Sequence, residues 1–180
     1  MRRGGDSVVK LRPVIAAKLP AELRQSSGFN IEVDAMPGNM ICSGSLKGKA
    51  DNSHVKLVLQ SKRPVRKLFS QDQRRLYKTH APSGLALDSL VPFGPINVAK
   101  LKFIPDKFKR FLVAEVWFYP DASRILELST KCAPHEAFQV LAELRAFLIQ
   151  RGIRLTGQQE TKTRRALEYF SSLHKKKATA

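Results

Sequence analysis

The chain has 180 residues, 43% of them hydrophobic, which is enough for one domain with a real core and too apolar for a disordered polymer. Lys and Arg number 32 against 15 Asp and Glu, a formal net charge of +17 that attracts nucleic acid, nucleotides, polyphosphate or acidic membranes. No apolar run reaches the length of a membrane span, no secretory pattern follows Met1, and Cys42 and Cys132 fit no metal-ligand spacing, so a cytoplasmic protein with reduced thiols is expected.

The first strand is expected over 8–12, with Val8, Lys10 and Arg12 on one face and Val9 and Leu11 on the other. Pro13 limits it, and 14–27 reads as irregular, with a short helix near 21–24. A second strand over 28–35 separates Phe29, Ile31 and Val33 from Asn30, Glu32 and Asp34. Turn chemistry at Met36-Pro37-Gly38-Asn39 leads into a third strand over 40–47, and the two read as a hairpin. Residues 48–54 read as a polar loop and 55–60 as a strand. Lys62, Arg63, Arg66 and Lys67 flank a loop, either a lid or a solvated surface. Ser70 and Gln73 form a capping-box pattern opening a helix that runs to about residue 79. Residues 81–95 are mostly loop, with a short helix near 85–90.

A strand over 98–103 repeats the first one, placing Lys100 and Lys102 opposite Ala99, Leu101 and Phe103. A longer strand over 111–119 turns at 120–123 into a return strand over 124–131. There Glu127, Ser129 and Lys131 face one way and Leu126 and Leu128 the other. Pro134 suits a first helical position, Phe138, Leu141, Leu144 and Leu148 a core-facing stripe, and Gly152 the stop. A last helix is expected over 161–173, with 175–180 as a frayed basic tail.

Two strands thus present paired cations, Lys10/Arg12 and Lys100/Lys102, and two present acids, Glu32/Asp34 and Glu127. If the sheet curls, these faces line a cavity suited to metal-bound polyphosphate. An open antiparallel sheet with one wet face accounts for the pattern equally well. Glu115, between Val113 and Trp117, reads either as a cavity carboxylate or as half of an ion pair.

The segment Ser7-Val8-Val9-Lys10-Leu11-Arg12-Pro13 resembles the central lysine strand of the CYTH superfamily, the triphosphate tunnel metalloenzymes. These include class IV adenylate cyclases, thiamine triphosphatases and inorganic triphosphatases. Glu32-Val33-Asp34 is similar to an acidic tunnel strand, and Lys100-Leu101-Lys102 to the later basic strand. Glu115 and Ile125-Leu126-Glu127-Leu128-Ser129 resemble the closing strands, and Thr161-Lys162-Thr163-Arg164 the C-terminal segment. The family's opening E-x-E-x-K and R-x-R strands are incomplete here. Arg2 and Arg3 read as the tail of the latter, so the chain is expected to be a single CYTH-like domain over 1–180, truncated or divergent at its start. Ser129 stands where the family's closing E-x-E has its second glutamate.

The resemblance implies an α+β fold, an antiparallel barrel or tunnel-like curled sheet with flanking helices and a helical C-terminal segment. It implies that Lys10, Arg12, Lys47, Lys100, Lys102 and Lys131 hold a triphosphate or nucleotide. It implies that Glu32, Asp34 and Glu127 hold Mg or Mn, for hydrolysis or nucleotide cyclisation. The competing reading is a non-catalytic basic module that binds nucleic acid or another polyanion. Helix-turn-helix, zinc-finger and aromatic RNA-binding signatures are missing from the sequence. Open sheet edges also suggest homo-oligomerisation, and no membrane association is expected.

Overall fold

A computed structural model of the chain describes residues 4–36, 39–155 and 161–178, the last three as backbone only. The Pro37-Gly38 turn and the reading of Arg2 and Arg3 as part of a strand lie outside the described residues. The chain divides into two compact units, one drawn from 1–34 and 39–92, the other from 35–38 and 93–180.

In the first unit, β1 (Gly4–Leu11), β2 (Phe29–Met36) and β3 (Asn39–Asp51) form a sheet in the order β1-β3-β2. β1 and β3 are antiparallel, with Val8 opposite Lys47, Val9 opposite Leu46 and Lys10 opposite Ser45. In β1 alternation works as the sequence requires, with Ser7 and Val9 buried and Val8 and Lys10 exposed, whereas in β2 Ile31 and Val33 are exposed and only Phe29 of the expected apolar face is buried. Val9, Leu46 and Phe29 meet Leu19 and Leu76 in the core, with Leu11, Val14, Leu23 and Phe69 packed around them. Gly44 has a steric reason to be glycine, because a Cβ there would stand 2.7 Å from Cζ of the Phe29 ring.

Helix α3 (Gln71–His80) carries Leu76 into this core. The anticipated capping box forms: Gln73 N donates to Ser70 Oγ at 3.2 Å, and Ser70 N donates to Gln73 Oε1 at 2.9 Å. Gln73 is fully buried and does more than cap. Its Nε2 donates to the carbonyls of Ser7 and Leu46, each at 3.0 Å, and its Oε1 accepts from Ser7 Oγ at 3.0 Å. One side chain therefore satisfies a helix start and ties the helix to β1 and β3.

Two local expectations change. α1 (Ala21–Gln25) matches the short helix anticipated near 21–24. In place of a polar loop and a strand over 48–60, however, β3 runs on to Asp51 and α2 (Asn52–Leu59) follows. Asp51 Oδ1 caps α2 by accepting from Ser53 N at 2.7 Å. Val55, Val58 and Leu59 share one helical face and line an apolar cavity of about 210 Å³ with Val65, Leu68 and Leu90. A short turn, Val65–Leu68, is held by Asp88, which accepts from Arg66 N at 2.8 Å and pairs with the Arg66 guanidinium.

In the second unit, β4 (Asn97–Phe103), β5 (Leu112–Phe118) and β6 (Arg124–Ser129) form an antiparallel sheet in the order β4-β5-β6. The turn after β5 closes with Tyr119 N donating to Ser123 O at 3.0 Å. A 3₁₀ turn, Pro134–Glu136, leads into α4 (Ala137–Gln150), and α5 (Lys162–Ala178) ends the described chain. The buried side of α4 is Val140 and Leu148, flanked by Leu141, Leu144 and Phe147. Phe138, expected in that stripe, is 75% exposed, because it lies off the arc that 3.6-residue spacing draws through 137, 140, 144 and 148. Phe147 instead packs its ring 5.1 Å from that of the buried Phe108.

The class is α+β, built on two three-stranded sheets with helices. Each sheet has two edge strands, and no closed barrel forms by strand pairing among the described residues. Among those residues no helix is long and apolar enough to cross a membrane.

Candidate functional site

Each unit gathers charge on one sheet face. In the first, β1 lifts Lys10 to the side opposite the core, Arg12 follows just past its end, and β2 brings Asp34 to meet them. Lys10 Nζ lies 3.3 Å and Arg12 Nη2 3.0 Å from the same oxygen, Asp34 Oδ2. Ser43 Oγ is 3.4 Å from that oxygen and 3.4 Å from the Glu32 carbonyl. Two cations converge on one carboxylate, so the trio keeps an excess positive charge. All three charged side chains are partly exposed, at 37%, 26% and 35%, so each pair adds little to stability and remains open to exchange. Lys47 follows on the same face, exposed and opposite Val8.

In the second unit, cross-strand register makes a row: Lys100 stands opposite Glu115, and Glu115 opposite Glu127. Lys100 Nζ donates to Glu115 Oε1 at 2.7 Å. Lys162, the first residue of α5, donates to Glu115 Oε2 at 2.5 Å and to Glu127 Oε1 at 2.7 Å. Trp117 completes the cluster, with Nε1 at 3.5 Å from Glu115 Oε2 and its ring centroid 5.2 Å from Lys162 Nζ. Hydrogen bonds from Lys100 and then Lys162 pull the Glu115 pKa down from 4.5 to about 2. Burial works against the Lys162 ammonium, yet its bonds to Glu115 and Glu127 prevail and its pKa is raised. The cluster is charge-balanced, two ammoniums against two carboxylates.

Of the residues the sequence singled out, Lys10, Arg12 and Asp34 come together, and so do Lys100, Glu115 and Glu127. Glu32 shares β2 with Asp34, whereas Glu127 belongs to the second sheet. Lys102 places its Nζ 4.5 Å from the centroid of the Phe111 ring rather than beside Glu115. Lys131 lies beyond the end of β6 and is exposed. Lys162 was missing from the candidate set. Its only signal was the Thr161-Lys162-Thr163-Arg164 segment, since strand periodicity has no bearing on a residue delivered by a helix.

The carboxylates of Asp34 and Glu127 are engaged by cations. Asp34 Oδ2 is already shared by two cations, and Glu127 Oε1 is taken by Lys162. Among the described residues no three His, Cys, Asp or Glu side chains form a group able to hold an ion. With these oxygens held by ammonium and guanidinium groups, Asp34 and Glu127 do not fit a divalent cation in this arrangement. No protein-family model, no curated protein and no solved structure matches the chain.

Proposed function

We propose that the chain binds a phosphate-rich anion, a triphosphate-containing ligand, on the face of the first sheet that bears Lys10, Arg12 and Lys47. The observation that supports this reading is the convergence of Lys10 and Arg12 on one oxygen of Asp34. The carboxylate orients both cations while neutralising only one. Each cation retains N–H donors beyond the bond to Asp34, and an arginine fork matches phosphate geometry. The net charge of +17 favours encounter with any polyanion. The resemblance to the CYTH superfamily implies the same ligand class.

The test is a thermal-shift titration with tripolyphosphate, against sulfate at equal ionic strength. Tripolyphosphate is expected to stabilise the protein by about 2.7 kcal/mol over the ligand-free state at a hundredfold excess over its Kd, and by more than sulfate does. Lys10→Ala and Arg12→Ala are each expected to remove most of the difference. A shift no larger than sulfate's refutes the reading. The overall charge favours a second reading, nonspecific nucleic-acid binding. That reading predicts tight binding of a single-stranded oligonucleotide with steep salt dependence, insensitive to Lys10→Ala.

A further inference from the structure

We infer that Lys162 serves the second unit as a built-in cation, occupying the place between Glu115 and Glu127 that a divalent ion would take, so that this carboxylate pair is satisfied without metal. The inference is independent of the anion site on the first sheet.

Glu115 and Glu127 are directly opposed on β5 and β6. Like charges directly opposite one another across an antiparallel ladder destabilise it, since their Cβ atoms stand only about 4.5–5.5 Å apart. Such a pair needs a cation between its arms. Lys162 Nζ meets Glu115 Oε2 at 2.5 Å and Glu127 Oε1 at 2.7 Å, so one ammonium bridges both. Lys100 takes the other oxygen of Glu115 at 2.7 Å. Three of the four carboxylate oxygens are thereby engaged by ammonium groups. A hard divalent cation binds through several oxygens at about 2.0–2.6 Å, so it has to expel Lys162 before it can bridge the pair. The Trp117 ring, its centroid 5.2 Å from Lys162 Nζ, adds a cation–π contact that favours an ammonium over the far more strongly hydrated divalent ion. Lys162 also opens α5, so the same bridge fastens the start of that helix to the sheet.

The experiment is a titration with Mn²⁺ alone, followed by the electron paramagnetic resonance of the free ion and by quenching of Trp117, the chain's single tryptophan. Wild type and Glu127→Gln are expected to titrate alike, because the pair is closed to metal. Lys162→Met is expected to gain a site at least about tenfold tighter than any in the wild type, and Lys162→Met/Glu127→Gln to lose it. Far-UV circular dichroism checks the fold of each variant. Should Lys162→Met fail to fold, Lys162→Gln, which keeps a hydrogen-bond donor, takes its place. A wild type that binds Mn²⁺ more tightly than Glu127→Gln overturns the inference. So does a folded Lys162 variant that gains no site.

Discussion

Replacing Glu115 with Gln is expected to erase an acid-sensitive part of the folding free energy. Lys100 and Lys162 hold this carboxyl at about 2, against its ordinary 4.5. A carboxyl whose pKa is depressed on folding contributes stability that is complete above the unfolded value, and the contribution is lost as pH falls through the folded one. The window is therefore pH 4.5 down to about 2. At 1.36 kcal/mol per unit the whole shift corresponds to roughly 3 kcal/mol. Glu115 itself is only 14% exposed, but Lys100 is 60% exposed and its half of the interaction is screened. The net effect is then roughly 1–2 kcal/mol. Urea unfolding followed by far-UV circular dichroism, repeated from about pH 2 to about pH 7, measures it. Wild type is expected to exceed Glu115→Gln by that amount near neutral pH and to converge on it at the acid end. Parallel loss of stability in the two proteins across the window refutes the reasoning.

Gln73→Leu removes the amide that joins the α3 cap to Ser7 and Leu46. It strands the buried Ser7 hydroxyl, and a loss of about 2–4 kcal/mol in denaturant midpoint analysis is expected. Gly44→Ala drives a methyl into the Phe29 ring, and a loss of about 1–3 kcal/mol by the same assay is expected from overpacking. Asp51→Ala deletes the α2 cap and is expected to cost about 1 kcal/mol. Asp34→Asn frees Lys10 and Arg12 from their shared counter-charge. Tripolyphosphate affinity, read by calorimetry, is expected to rise severalfold, and a fall in affinity contradicts the anion-site assignment.

Much of the local structure was legible in the residues. Period-two alternation assigned Lys10 and Arg12 to the face away from Val9 and Leu11, whereas in β4 the face of Ala99 and Leu101, expected to be apolar and packed, is exposed along with Lys100 and Lys102. The Ser70/Gln73 spacing marked the start of α3. The stretch over 55–60 was misread, because Val55, Val58 and Leu59 in so short a run satisfy a strand and a helix alike. In the structure it is a helix capped by Asp51. The open sheets found by strand pairing keep the α+β class, while the barrel form rested on a curl of the sheet inferred from its charged faces and on the resemblance.

The sequence by itself therefore determined which side chains share a face, because that follows from backbone geometry repeated over a few residues. It could not determine which face meets which partner. The row Lys100–Glu115–Glu127 depends on the register of three strands, and register is set by packing and turns along the whole sheet. Lys162 reaches that row from a helix 35 residues beyond Glu127 in the chain. Gln73 reaches Ser7 from 66 residues away. Contacts of such separation leave no local period to read, so the tertiary structure alone decided that Lys100 meets Glu115 and that Lys162 bridges the carboxylates of Glu115 and Glu127.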